Sequence, residues 1–199
     1  MSNRKLVFVT GNKNKLREVQ KILSDENLTS SKIEVTSMDL DVPEVQGSTQ
    51  DVAREKVKAA ALAVNGPCMT EDTALCFKAM GGLPELRNFD GSLLGPYIKW
   101  FLKSLGLEGL NKMLSGFENK EATAICTFAY CEGPGKEVIL FEGITEGQIV
   151  LPRGPTDFGW DPIFEVKGTG LTYAEMGGDQ KNTLSHRSKA LQKLSQHFA

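Results

Sequence analysis

Phe158-Gly159-Trp160-Asp161-Pro162 gathers two aromatics, a glycine and a carboxylate just after the loop-forming run Leu151-Pro152-Arg153-Gly154-Pro155. An aromatic face stacks on a flat ring, an aspartate accepts from ring N–H groups, and a glycine lets backbone come close. Together these suit a nucleobase or similar heterocycle. The competing reading is an aromatic anchor that pins the loop to the core, since Trp and Phe favour burial.

Thr10-Gly11-Asn12-Lys13-Asn14-Lys15 stands where a β-rich run hands over to a helix. Gly11 permits a tight turn, so that successive backbone N–H groups aim at one spot beside the helix N-terminus. Lysines add charge there, and phosphate is the natural ligand. The second glycine and Lys-Ser/Thr end of a Walker A loop are missing, and an ordinary strand-to-helix turn would also account for the segment. Basic residues in a first helical turn oppose the helix dipole, a misfit that a bound anion would relieve.

Glu44 lies in a polar loop, and Glu71-Asp72 closes a short apolar strand. Carboxylates so placed gather Mg²⁺ and its phosphate ligands, because the ion takes one or two protein oxygens and keeps its waters. Glu44 alone reads first as a solvated loop acid, whereas Met69 and Leu75 around Asp72 argue for its partial burial. Lys99, within Tyr97-Ile98-Lys99-Trp100-Phe101, is a cation in an apolar helix that could snorkel to water. Lys56 is by itself one helical lysine. Lys181-Asn182 and Ser185-His186-Arg187 open the last helix and could donate to a base carbonyl or a phosphate, although each alone reads as surface decoration.

The elements that must position these groups follow from periodicity. Lys5–Thr10 reads as a strand, followed by a helix with Leu16, Val19, Ile22 and Leu23 on one face. A strand at Ile33–Thr36 precedes a helix capped by Ser48 or Thr49, with Val52, Val57, Ala60, Ala61 and Val64 as its stripe and Asn65-Gly66-Pro67 as its stop. Cys68–Thr70 is a strand ending at Glu71-Asp72; Pro96–Leu105 and Leu107–Leu114 are helices. Thr123–Tyr130 and Val138–Phe141 form a hairpin through Gly133-Pro134-Gly135, and a further strand is expected at Gly147–Val150. The C-terminal helix carries Leu184, Leu191, Leu194 and Phe198. The pattern is α/β, helices on a mixed sheet.

Composition narrows the class. With 199 residues, 40% of them apolar, the chain can bury a full core as one domain or two closely joined lobes. A net charge of −2 argues against a nucleic-acid-coating surface. No apolar run is long enough to cross a bilayer and no secretory leader is evident, so a cytosolic protein is expected. Cys68, Cys76, Cys126 and Cys131 show no CxxC pair and read as reduced thiols. With only two histidines, any metal would be a hard cation held by carboxylates.

In order, TGN–K at 10–15, PE–QG at 43–47, EDT at 71–73, GGLP at 81–84, GPYIKWF at 95–101, FGWDP at 158–162, TYAEM at 172–176 and SHR at 185–187 resemble the inosine triphosphate pyrophosphatase family, the Ham1-like noncanonical purine NTP pyrophosphatases, in its eukaryotic form. The resemblance covers nearly the whole chain. It implies an elongated, two-lobed α/β fold with a long central mixed sheet, a cleft between the lobes, and one catalytic domain over residues 1–199. It also implies Mg²⁺-dependent hydrolysis of ITP, dITP and XTP to the monophosphate and pyrophosphate by a cytoplasmic homodimer, with Mn²⁺ able to substitute for Mg²⁺ and a nuclear pool also allowed. Neither nucleic acid nor membrane is a partner. Carried over by motif, Thr10, Gly11, Asn12, Lys13, Asn14 and Lys15 with Lys56 and Lys99 would contact the triphosphate. Glu44 and Asp72 would hold the metal, Asp72 would help activate water, and Thr73 would lie beside them. Phe158, Gly159, Trp160 and Asp161 with Lys181, His186 and Arg187 would form the base pocket.

One segment departs from the family pattern: residues 85–94 intervene between GGLP and GPY. A surface insertion that spares activity is the expectation, since loop closure grows only slowly in cost with length. The rivals are an impaired nucleotide binder and a Maf-like pyrophosphatase for standard or modified pyrimidines; the FGWD and SHR segments argue against the second.

Overall fold

Leu6 and Phe8 alternate with more exposed neighbours along β1 (Arg4–Val9), the pattern of a strand covered on one face. The computed structural model describes residues 4–29, 33–42, 45, 48–81, 86–87, 93–94 and 98–199. β1 runs parallel to β2 (Ile33–Met38) and to β3 (Cys68–Phe77). Helices α1 (Lys13–Ser24) and α2 (Thr49–Val64) make the connections that parallel pairing requires. Ser48 caps α2 in a reciprocal capping box with Asp51, and Asn65 closes it in the left-handed region at φ 52°.

Beyond a two-residue ribbon, β4 (Leu86–Arg87) with β5 (Leu93–Leu94), α3 (Ile98–Met113) breaks at Gly106, whose φ of 66° interrupts the helix. β6 (Glu121–Cys131), β7 (Val138–Ile149) and β8 (Phe164–Val166) complete a six-stranded sheet in the order β2-β1-β3-β6-β7-β8, antiparallel from β3 onward. Two short helices follow, α4 (Gly178–Leu184) and α5 (His186–His197).

The core has three parts. Val19, Ile22 and Leu23 of α1 and Leu191 and Leu194 of α5 pack with Leu6, Phe8, Met69 and Phe128 of the sheet. Ala53, Val57, Ala60 and Ala61 of α2 pack with Val9, Cys68 and Ala129. The third part joins Leu75 and Phe77 of β3 to Ile98 and Leu110 of α3 and to Trp160, Phe164 and Tyr173. β3 therefore runs from the first two clusters into the third, and Glu71-Asp72-Thr73 occupies the stretch between Met69 and Leu75.

A mixed sheet flanked by helices is the fold the sequence implies, with three local corrections. Glu71 and Asp72 stand mid-strand rather than at a strand end, because β3 pairs with β6 without a break from Cys68↔Cys131 to Phe77↔Ala122. The separate strands expected at Val138–Phe141 and Gly147–Val150 are one strand, β7, which ends at Ile149 and whose ladder with β6 is continuous from Val138 to Gln148. The last helix is two helices: Ser185, extended at φ −71° and ψ 150°, ends α4 and caps α5 by accepting the Ser188 N–H at 3.1 Å.

Candidate active site

A cleft of about 790 Å³ opens among the end of β1, the start of α1, α2, the middle of β3, α3, the Phe158–Asp161 turn and the start of α5. Its lining includes Thr10, Gly11, Asn12, Lys13, Asn14, Lys15, Lys56, Asp72, Thr73, Lys99, Phe158, Gly159, Trp160, Asp161, His186 and Arg187, and also Glu71. The segments at 10–15, 71–73, 158–161 and 186–187, with Lys56 and Lys99, thus meet at one place. Lys181 stands directly behind this lining, its Nζ 2.6 Å from Asp161 Oδ2. Glu44 lies outside the described residues.

At the α1 end, the Asn12 carboxamide oxygen accepts the Asn14 and Lys15 N–H groups at 3.0 and 3.1 Å, and Thr10 Oγ1 accepts the Asn12 N–H at 3.1 Å. The loop therefore satisfies three of its own amides, which corrects the expectation that they all point at one anion. The charge available to a ligand here comes chiefly from side chains. Lys15 Nζ sits 2.7 Å from Glu71 Oε2. From α2, Lys56 Nζ lies 2.9 Å from Asp72 Oδ1, while Asp72 Oδ2 is buried with no hydrogen-bond partner among the described residues. An orphaned carboxylate oxygen beside lysines is a donor that suits a hard divalent cation.

Glu71 is completely buried and forms a node. Thr73 Oγ1 and Arg187 Nη2 donate to its Oε1, the latter at 3.0 Å, and the Cys126 thiol approaches to 3.3 Å. Burial alone would raise Glu71, but Arg187 and then Lys15 outweigh it and hold its carboxyl well below the usual range. Arg187 also donates through Nη1 to Glu18, whose Oε1 is 2.7 Å from Lys181 Nζ. The result is one chain of charges, Lys15–Glu71–Arg187–Glu18–Lys181–Asp161, that ties α1 and β3 to the base-pocket segments. Burial pushes the Asp161 carboxyl up to about 6 against the pull of Lys181.

Gly159 makes the aromatic turn at φ +49°, a conformation that other residues rarely hold. Lys181 Nζ lies 4.3 Å from the centre of the Phe158 ring, and the Arg187 guanidinium carbon 5.5 Å from it. Trp160 stacks on His186 at 5.5 Å, with Tyr173 at 5.6 Å from the same imidazole. Burial, reinforced by Arg187 and Lys181, keeps His186 well below its ordinary value and hence neutral. Its Nε2 and the Nε of Arg187 are buried without hydrogen-bond partners among the described residues.

Lys181, His186 and Arg187 are therefore interior groups, not surface decoration. Sequence reasoning gave no role to Glu18, and noted Glu71 and Tyr173 only within the Glu71-Asp72 pair and the motif at 172–176. A signal existed for Glu18, one turn beyond Lys15 on α1, and for Glu71, an acid in the polar patch at 70–73 between the apolar ends of β3.

An open mixed sheet whose cleft joins lysine–carboxylate pairs to an aromatic, donor-bearing recess defines an α/β protein shaped for a nucleotide-like ligand. The chain belongs to the Ham1 family, whose profile matches residues 6–197. It is 72% identical over 197 residues to the inosine triphosphate pyrophosphatase of Puccinia graminis f. sp. tritici, covering 98% of this chain and 97% of that one. The inosine triphosphate pyrophosphatase of Mycosarcoma maydis is 63% identical over 199 residues, with 100% and 96% covered. Among solved structures, a HAM1 protein from Coxiella burnetii matches with a TM-score of 0.80 at 25% identity over 98% of both chains. A nucleoside-triphosphatase, described as a dITP/XTP pyrophosphatase, from Mycobacterium abscessus matches with a TM-score of 0.64 at 27% identity, over 96% of this chain and 98% of that one.

Proposed function

We infer that this chain is a nucleoside triphosphate pyrophosphatase that hydrolyses noncanonical purine nucleoside triphosphates, ITP, dITP and XTP, to the monophosphate and pyrophosphate. The observation that carries this reading is Asp72, one oxygen paired with Lys56 and the other without a hydrogen-bond partner among the described residues, in the same cleft as the Phe158–Asp161 turn. The Ham1-family likeness to inosine triphosphate pyrophosphatases runs the full length of the chain and disfavours the Maf-like alternative.

In this reading Thr10, Asn12, Lys13, Asn14, Lys15, Lys56 and Lys99 bind the triphosphate, with Gly11 allowing close approach. A water oxygen attacks the α-phosphorus, the bond from that phosphorus to the bridging oxygen breaks, pyrophosphate leaves, and the water proton passes to Asp72. Lys15 and Lys56, held in the cleft by Glu71 and Asp72, supply positive charge against the departing pyrophosphate. The family works with a divalent metal; we take it to be Mg²⁺, with Mn²⁺ able to substitute, held by Asp72 Oδ2 and by Glu44. When bound, the ion supplies charge neutralisation at the phosphate oxygens.

Phe158 and Trp160 offer faces to the base, Gly159 shapes their turn, and Asp161 with Lys181 completes the recess. Arg187, its terminal amino groups committed to Glu18 and Glu71, has Nε left over, and His186 has Nε2; both are buried, both lack a partner among the described residues, and both residues line the cleft. A 6-oxo purine can accept from these groups, whereas the 6-amino group of adenine leaves them unpaired at about 1–3 kcal/mol per lost partner. A cytoplasmic homodimer completes the reading. Pyrophosphate release from ITP, XTP, GTP, ATP and dTTP, with Mg²⁺ and with EDTA, tests it. Release confined to Mg²⁺ and favouring ITP and XTP over ATP and dTTP supports it; preference for dTTP would return the Maf-like reading.

A further inference from the structure

His186 is neutral and buried, so which of its two nitrogens carries the single proton decides what it can read. The nitrogen with a protein partner is Nδ1, 3.2 Å from the Tyr173 hydroxyl, and Nε2 has none among the described residues. The Tyr173 oxygen already accepts the His186 backbone N–H at 3.4 Å. Its own proton has two places to go: His186 Nδ1, or Thr145, which also interacts with it. Thr145 Oγ1 gives its proton to the Leu184 carbonyl at 2.8 Å and accepts from the Lys189 ammonium at 3.1 Å. An imidazole lone pair is a stronger acceptor than a hydroxyl oxygen that an ammonium already polarises, so the phenol proton belongs on the His186 side.

We propose that Tyr173 is a positioning residue: its hydroxyl donates to His186 Nδ1, fixes the imidazole as the tautomer protonated at Nε2, and thereby makes His186 an obligate donor that selects a 6-oxo over a 6-amino purine. The proposal deepens the functional reading above and rests on it for the identity of the base. The surroundings serve the same end. Trp160 and Tyr173 both stack on the imidazole at an interplanar angle of 29°, which holds its plane. Gly143 on β7 lets the start of α5 seat against the sheet, since a Cβ there would stand 2.0 Å from the His186 carbonyl oxygen. With the opposite tautomer Nε2 would be a bare acceptor, repelled by a 6-oxo oxygen and matched to a 6-amino group.

Two measurements test this. The sequence has two histidines, so ¹⁵N-labelled imidazoles can be assigned by one His197→Gln comparison. The expected wild-type spectrum shows His186 with a bare Nδ1 and a protonated Nε2; a protonated Nδ1 overturns the proposal. Tyr173→Phe keeps the ring stacking and removes only the hydroxyl. It should raise KM for ITP, lower kcat/KM for ITP by about tenfold, and compress the ITP-to-ATP ratio of kcat/KM by a similar factor. A ratio within about twofold of wild type, in a variant folded by circular dichroism, overturns it. If wild type hydrolyses no ITP at all, the functional reading fails, and the spectrum still decides the tautomer.

Discussion

Arg187 Nη2 lies 3.0 Å from Glu71 Oε1 inside the protein, although 116 residues separate them in sequence. Both side chains are almost wholly buried, at 2% and 0% exposure, so neither charge has water to fall back on. This pair joins the middle of β3 to the start of α5.

Arg187→Met should therefore destabilise the protein by about 3–5 kcal/mol, because it strands the Glu71 charge in the interior with Lys15 as its remaining cation. Urea unfolding measures it. A loss below about 1 kcal/mol would mean that the pair is not essential to the fold. Arg187→Met combined with Glu71→Gln should recover part of the loss, since no buried charge is then abandoned.

Asp161 gives stability an unusual pH signature. Its folded value of about 6 lies above its unfolded value of 3.8, so its contribution is fully present below 3.8 and is lost as pH rises towards 6. Relative to Asp161→Asn, wild type should lose about 1–3 kcal/mol across that window and change no further above it. Glu71 and Glu18 act oppositely: held low, they stabilise above 4.5, and that contribution is lost as pH falls through their folded values. Both variants share that acid-side loss, so urea midpoints compared from pH 4 to 7 isolate Asp161. A constant difference between them would contradict the assignment.

Gly143→Ala should be costly for a reason the sequence hides. The added Cβ meets the His186 carbonyl oxygen at 2.0 Å and the Ala190 nitrogen at 2.5 Å, both backbone atoms that cannot rotate aside. We expect a loss of about 1–3 kcal/mol and a raised KM for ITP as the start of α5 shifts. An unchanged melting temperature and KM would show that β7 yields instead.

Deleting residues 85–94 should leave ITP hydrolysis and melting temperature near wild type. The described part of this segment, Leu86–Arg87 paired with Leu93–Leu94, forms its own ribbon and adds no strand to the six-stranded sheet. Higher activity and stability after deletion would show instead that the insertion impairs the enzyme.

Much of the fold was legible in the sequence because it follows local periodicity. The stripes of α1 and α2 and the split at Gly106 lie where spacing and a single glycine place them. Strand ends were less legible. A carboxylate pair reads as a terminus, yet β3 continues because Glu71 finds Arg187 on the far-off α5 and Asp72 finds Lys56 on the preceding α2. The site segments were visible as unusual clusters, while the charge chain through Glu18 was not. Its partners, Lys181 and Arg187, lie 163 and 169 residues away. The self-capping by Asn12 shows the same limit, since a loop rich in amides reads as an anion nest until its own side chain takes them.

The central claim is that Asp72 performs the chemistry in this cleft. The most direct test is pyrophosphate release from ITP with Mg²⁺ by wild type and Asp72→Asn, together with ITP binding by each. The account predicts rapid release by wild type, a loss of at least about 10²-fold in kcat for the variant, and retained ITP binding. Release by Asp72→Asn at close to the wild-type rate would contradict it.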